Sequence, residues 1–305
     1  MRMLNAVYDL AAGPVTFDAA VFVALAEGYR RRHGYDAVHF IVLPGPNDGF
    51  RLVSKRDKLF EAARKRWRLE NLILPLFRLL PACVGISVLP GRPAAPPPDV
   101  FPPDYHPERD AYCPYTLDKA VLAHAEGWAL QGFEASHQAR KWAEKYAGAT
   151  VVTLRESDFQ PARNTDMAAW REALSGEDNV VVVPDTEAML TGRYNDLGRA
   201  SNAGLLAALH LDLRMALYEA AGHNLFVNTG PAQLAWFSPR CRFAAVKMVT
   251  PDYKTTRPEW FDRLRIPVGT QPGWFKPWQK LIWLDDTADA VRAALAFGKE
   301  YRNAA

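Results

Sequence analysis

The sequence predicts an α/β protein made of two Rossmann-like, doubly wound domains facing a crevice. Three observations predict it. Short apolar, β-branched runs such as residues 38–43 (VHFIVL) and 179–184 (NVVVVP) alternate with helical stretches along the 305 residues, as strands of a buried parallel sheet do. The first forty residues read strand, helix, strand, a βαβ unit with a right-handed crossover. A Pro-rich stretch, residues 91–114, lies between two such series. The expected domains are therefore residues 1–117, including that linker, and residues 118–305.

Each element has a local reason. Residues 4–8 form a short apolar strand, and Gly13-Pro14 marks the loop after it. Thr16 and Asp18 suit a helix start, and Arg30, Arg31, Arg32, His33 and Gly34 suit its end near residue 32. Residues 55–80 read as one or two helices and 84–88 as a third strand. The Pro-rich stretch is expected to hold no regular element, and residues 120–146 read as helix. The second series has strands at 149–155, 179–184, 225–228, 243–248 and 280–283, with helices at 167–175, 205–221, after 232, and 289–301.

Composition excludes several classes. The chain is 49% hydrophobic and 23% charged, too apolar for disorder, and its net charge of +3 gives no general signal for nucleic acid. Cys83, Cys113 and Cys241 are sparse and unpaired in spacing, against a disulfide framework or structural zinc site. The N-terminus lacks a signal-peptide h-region and no run is long enough to span a membrane, so the expected location is cytoplasmic. There is no HExxH, DxD, Walker loop, GxGxxG or GxSxG; neither a metal nor a cofactor is expected.

In doubly wound sheets ligands sit beyond the carboxyl ends of strands, so the residues following each strand are the candidates. Arg155 and then Arg163 and Asn164 follow the strand at 149–155; an arginine there can hold a diphosphate bidentately, or pair with Glu156 or Asp158 on the surface. Asp185 follows NVVVVP, where it could bind ribose hydroxyls or cap the next helix. Asn228, Thr229, Gly230 and Pro231 follow the strand at 225–228: a helix start able to bind phosphate, or simply a well-capped helix. His210, Asp212 and Arg214 could reach a base or sugar, His210 and Arg214 sharing a helix face. In residues 269–286, Gln271 and Trp274, with Trp278, could contact a base or sugar; the other reading is a hydrophobic plug. In the N-terminal half Asp9 follows the first strand and could serve as general base, with Asp18 as alternative. Asn47, Asp48 and Arg51 could contact an acceptor or form a turn.

Residues 51–70 carry eight Lys/Arg against three acids, with Leu59, Ala63 and Trp67 as an apolar stripe. Such a helix could lie on an anionic membrane surface, the inner face included, present a solvated basic face, or face an acidic polymer.

The motifs TLRES…RN, VVVPDTE, the strand–NTGP–helix turn and the tail GTQPGW…QKLIWLDDTADAV resemble metal-independent glycosyltransferases of the two-Rossmann (GT-B) fold. The likeness spans residues 149–296, and within that fold it is greatest to fucosyltransferase-like and bacterial surface-polysaccharide enzymes. It implies a nucleotide-sugar donor held by the C-terminal domain, a glycan or lipid-linked acceptor, and transfer without a metal, with inversion. It places Arg155 on the diphosphate, Asn228, Thr229 and Gly230 against the phosphates, and Asp185 near the nucleoside. The family's paired basic motif with a preceding His is absent, since Thr153-Leu154-Arg155 holds one Arg. A pyruvyl transferase of the same scaffold and a non-catalytic glycan- or nucleotide-binding protein are the alternatives.

Overall fold

Strand β1 (Met3–Asp9) and β2 (Ala37–Leu43) pair in parallel, joined by helix α1 (Ala19–Arg32). These elements belong to a computed structural model that describes residues 1–51, 62–107, 116–199 and 201–302. Helix α2 (Ala62–Arg68) runs through one π-helical turn, residues 69–73, into α3 (Leu74–Arg78), and the chain then enters β3 (Cys83–Val88). The four-stranded sheet is completed by β4 (Val100–Phe101), in the order β3-β2-β1-β4. One face packs through aromatics: Tyr8 lies edge-on to Phe22 at 5.1 Å, and Phe40 stacks on Phe77 at 4.3 Å between ring centroids. The other face carries an apolar cluster of Val7, Leu43 and Tyr105 beside a polar row of Asn5, His39 and Ser87.

Where the sequence predicts no regular element in the Pro-rich stretch, the structure has β4. Its neighbours Pro98 and Asp99 give their carbonyls to Asn5. β4 lies at the sheet edge, the place where a strand tolerates proline because half its amides need no partner. Helix α4 (Leu117–Ala125) packs on α1 and belongs to the first of two compact units, residues 1–133 and 134–305, so the division falls sixteen residues beyond the expected 117/118. The helix expected over residues 120–146 is broken: Gly127, at φ +85°, ends α4, and a new helix α5 (His137–Ala143) starts on Ser136, whose hydroxyl accepts from the Ala139 amide.

The second unit holds a five-stranded parallel sheet: β5 (Thr150–Thr153), β6 (Val180–Val183), β7 (His223–Val227), β8 (Phe243–Val246) and β9 (Gln279–Leu281), in the order β6-β5-β7-β8-β9. Helices cover both faces. Trp170 of α6 (Met167–Ala173) and Val291, Ala294 and Leu295 of α12 (Ala288–Arg302) pack on Val152, Leu225, Val227 and Val246. On the opposite face Tyr218 of α9 (Leu211–Ala220) bonds Thr153 at 2.8 Å and meets Phe226 edge-on. Between β6 and α9 lie α7 (Thr186–Leu190) and α8 (Asn202–Leu209). Gly204 of α8 lies so near β6 that a Cβ there would sit 1.8 Å from the Val182 carbonyl oxygen, so only glycine fits. The remaining helices are α10 (Ala232–Trp236) and α11 (Pro258–Arg263).

The sequence predicts one helix over 205–221; the structure breaks it at His210, which is extended (φ −117°, ψ 110°) and accepts from the Leu213 amide through Nδ1. No Gly or Pro marks the break. It is made by Arg214, fully buried, whose Nε and Nη2 donate to the Ala207 and Ala208 carbonyls and so close the end of α8.

At the amino end of this sheet Glu219 accepts from the Ala135 amide at 3.2 Å through one oxygen, while its other oxygen is buried without a hydrogen bond. Burial pushes its carboxyl up to about 7. A raised carboxyl binds its proton more tightly in the folded state, so stability falls as pH rises from the ordinary carboxyl range to about 7 and stays reduced above it. Glu219→Gln is expected to raise the melting temperature by roughly 2–5 °C at about pH 8 and by less than a degree or so near pH 4. Scanning calorimetry at both pH values checks this; an equal change at the two would contradict it.

Candidate functional site

The strand orders locate one switch point in each sheet. Counted from β5, the second sheet runs 2-1-3-4-5, so connections leave in opposite directions from β5 and β7; the ligand crevice of such a sheet lies outside the carboxyl ends of those two strands. The first sheet runs 3-2-1-4, with its switch between β1 and β4.

Beyond β5 stands Arg155, buried, with a guanidinium that closes a loop. Nη1 donates to the Gln160 carbonyl at 3.2 Å and to Asn164 Oδ1, and Nη2 donates to the Phe159 carbonyl. Its amide donates to the Thr165 hydroxyl at 2.9 Å. Asn164 fixes the same loop through the Ser157 amide and carbonyl. Arg163 spans the switch point. It leaves the β5 loop and donates through Nη2 to Asn228 O (2.9 Å) and Oδ1 (3.3 Å) at the end of β7, with Nη1 on Gln160. Asn228 in turn donates to the Met248 carbonyl. Thr229 is buried, and α10, which starts after Pro231, has five residues, so its amides matter more than a helix dipole.

Asp185 caps α7, accepting from the Glu187 and Ala188 amides at 2.8 and 3.4 Å. Burial raises its carboxyl, and burial likewise raises neighbouring Glu156, which accepts from the Asn195 amide at 2.7 Å. These two acids stand side by side at the ends of β5 and β6.

Other expected contacts are spent on structure. Asp212 accepts from the Ser136 amide and hydroxyl, His210 caps α9, and Arg214 closes the end of α8. Gln271 pairs with the Leu281 amide and carbonyl, extending the edge of β9. Trp274 is the plug: buried, stacked on Phe237, its Nε1 donating to the Trp236 carbonyl. Of the basic stretch, residues 52–61 lie outside the described residues. In α2 Ala63 is exposed, whereas Lys65 and Arg68 are buried, Arg68 donating to the Val15 carbonyl at 2.7 Å. The packed face is thus basic, contrary to the expected apolar stripe.

At the first sheet's switch point Asp9 is buried and fully bonded. Arg92 grips it bidentately (2.8 and 2.6 Å), the Ala11 amide donates at 2.9 Å and the Tyr105 hydroxyl at 3.3 Å. Asp9 holds the Arg92 guanidinium more firmly charged, and burial together with Asp9 pushes the Tyr105 phenol up to about 12. Arg92 also donates to the Pro44 and Pro107 carbonyls.

Two residues at these points are absent from the sequence-based set. Arg92 follows β3, and Lys247 directly follows β8 at φ +52°, its Nζ bonded to Asp286 (2.8 Å) and to the Asn164 carbonyl (2.9 Å). A side chain forced into the left-handed region beside a ligand crevice is a pointer to function. Applying the strand-end rule to every strand finds both.

Among the described residues no cluster of three or more His, Cys, Asp or Glu is placed to hold a metal, and no helix is long and apolar enough to cross a membrane.

No family model and no curated protein matches the chain. Solved structures do. A glycosyl transferase family 9 structure from Veillonella parvula is 11% identical with a TM-score of 0.47, covering 98% of this chain and 97% of that one. E. coli ADP-heptose lps heptosyltransferase II is 14% identical with a TM-score of 0.43, covering 98% and 99%. E. coli heptosyltransferase WaaC with ADP is 12% identical with a TM-score of 0.40, over the full length of both chains. The fucosyltransferase-like group is represented by none of the three.

Proposed function

We propose that the protein is a metal-independent glycosyltransferase that moves a sugar from a nucleotide-sugar donor to a surface-glycan or lipid-linked acceptor. One observation carries the reading: the switch point of a 2-1-3-4-5 sheet is bridged by Arg163, from the loop behind Arg155 to the Asn228 turn, with Lys247 attached to the same loop. Arg163 and Arg155 beside one crevice offset the charge that builds on a departing diphosphate, the largest electrostatic demand of such a transfer in the absence of a metal, while Lys247, paired with Asp286, anchors the loop. Amides of the turn at Thr229 and Gly230 add donors. Asp185 or Glu156 suits the ribose hydroxyls, a carboxyl group having acceptor sites beyond the backbone amides it holds.

Asp9 takes the proton of the acceptor hydroxyl, giving a single displacement and inversion. Arg92 orients this carboxylate through its two-point contact. Its four acceptor sites are filled, so the hydroxyl enters by replacing the longest contact, Tyr105 at 3.3 Å. The motif likeness of residues 149–296 points to the same class.

Titration calorimetry of the full chain with a panel of nucleoside diphosphates tests the reading. One of them is expected to bind, and Arg163→Ala to weaken it by at least about tenfold, roughly 1.4 kcal/mol. Binding of none, or an unchanged affinity in the variant, sinks the proposal.

A further inference from the structure

The polar row on the second face of the first sheet has the order of a proton relay. Asn5, His39 and Ser87 stand on the adjacent parallel strands β1, β2 and β3. Asn5 Nδ2 donates to the Pro98 carbonyl at 2.8 Å, which turns its Oδ1 toward His39 Nδ1, 3.3 Å away. An acceptor opposite Nδ1 requires the proton on Nδ1. Nε2 then carries the lone pair, and the Ser87 hydroxyl lies 2.9 Å from it as donor. Gly85 makes the reach possible: the imidazole lies across it, and a Cβ there would come within 3.1 Å of His39 Cδ2.

We infer that Ser87, His39 and Asn5 form a second, independent reactive centre, a Ser–His–Asn relay for acyl esters. Ser87 Oγ forms a bond to the ester carbonyl carbon and passes its proton to His39 Nε2. The carbon–oxygen bond to the alcohol breaks, and the alkoxide leaves with that proton. Water, deprotonated by His39, then releases the acid and restores Ser87. Asn5 is a positioning residue that fixes the tautomer. Three features of the surroundings fit an ester. Ser87 and His39 are half-buried rather than sealed. Ile41, the register partner of Ser87, is half-buried on the same face and gives an acyl group an apolar neighbour. Among the described residues no strand pairs with the outer side of β3, so its outward amides can face a carbonyl oxygen. The functions assigned to Asp9 and to the second unit use none of these three residues.

A fluorophosphonate probe tests the centre on the full chain: Ser87 Oγ displaces fluoride at phosphorus and the adduct is located by peptide mass. The expected result is one adduct on Ser87, absent in Ser87→Ala, with a labelling rate at least about 100-fold lower in His39→Gln. Asn5→Ala should slow labelling and Asn5→Asp restore it, which loss of packing alone does not do. All variants should bind nucleoside diphosphates as the parent chain does. Failure of the parent chain to label at Ser87, which needs no variant, overturns the inference; so does labelling that His39→Gln leaves unchanged.

Discussion

Arg155→Ala is expected to lower the melting temperature by roughly 4–10 °C and to abolish nucleoside diphosphate binding. The sequence alone suggests a variant that loses binding with little loss of stability, because an arginine at a strand end reads as a ligand group. The structure gives its guanidinium a second task. It holds the carbonyls of Phe159 and Gln160 and the side chain of Asn164, so it closes the loop 155–165 on itself. Charge-assisted hydrogen bonds to carbonyls contribute about 1.5–3 kcal/mol each when buried, and their loss here leaves carbonyls unpaired. A deficit of about 2–4 kcal/mol follows, which for a unit of this size is the stated shift. Binding falls for the same reason, since Arg163 is carried on that loop. Arg155→Lys separates the two effects: the charge remains but the fork does not, so the loop should still loosen. Calorimetric scans of both variants check the ordering, with parent highest and Arg155→Ala lowest.

Asp9→Ala is expected to abolish transfer, by about 10²–10⁴-fold or more, and also to destabilise by about 2–3 kcal/mol. The second effect comes from Arg92, which would keep the Pro44 and Pro107 carbonyls but lose its counter-ion; a broken buried pair costs more than the pair was worth. Arg92 is partly exposed and rehydrates, which holds the loss below that of a fully buried partner. Asp9→Asn keeps the shape and an acceptor oxygen, so it should lose most of the activity with a smaller loss of stability. Equal activity in Asp9→Asn and the parent chain would remove Asp9 from the chemistry.

Much of this was legible in the sequence, and the particular residues say why. Four consecutive valines mark β6 as buried on both faces, and a Gly-Pro pair after an apolar run marks the end of β7, because strand burial and turn chemistry are local properties. The strand-end rule places Arg155 and Asn228 at the switch point for the same reason. Contacts across long separations were not legible. Arg92 reaches Asp9 over 83 residues and out of a stretch whose prolines suggest only a linker. Arg214 breaks a helix of good helix formers by taking carbonyls seven and six residues before it. Trp274 reads as a stacking platform or as a plug until Phe237 is seen against it. In each case the sequence names a capable side chain and tertiary packing decides its partner.

The central claim is that a nucleotide donor sits at the β5–β7 switch point of the second unit. Amide hydrogen exchange of the full chain, with and without the nucleoside diphosphate that binds, tests it most directly. Slowed exchange is expected to concentrate in residues 155–165 and 228–233, together with the segment after Lys247. Protection confined to the first unit, or to the aromatic tail at 269–283, would contradict it.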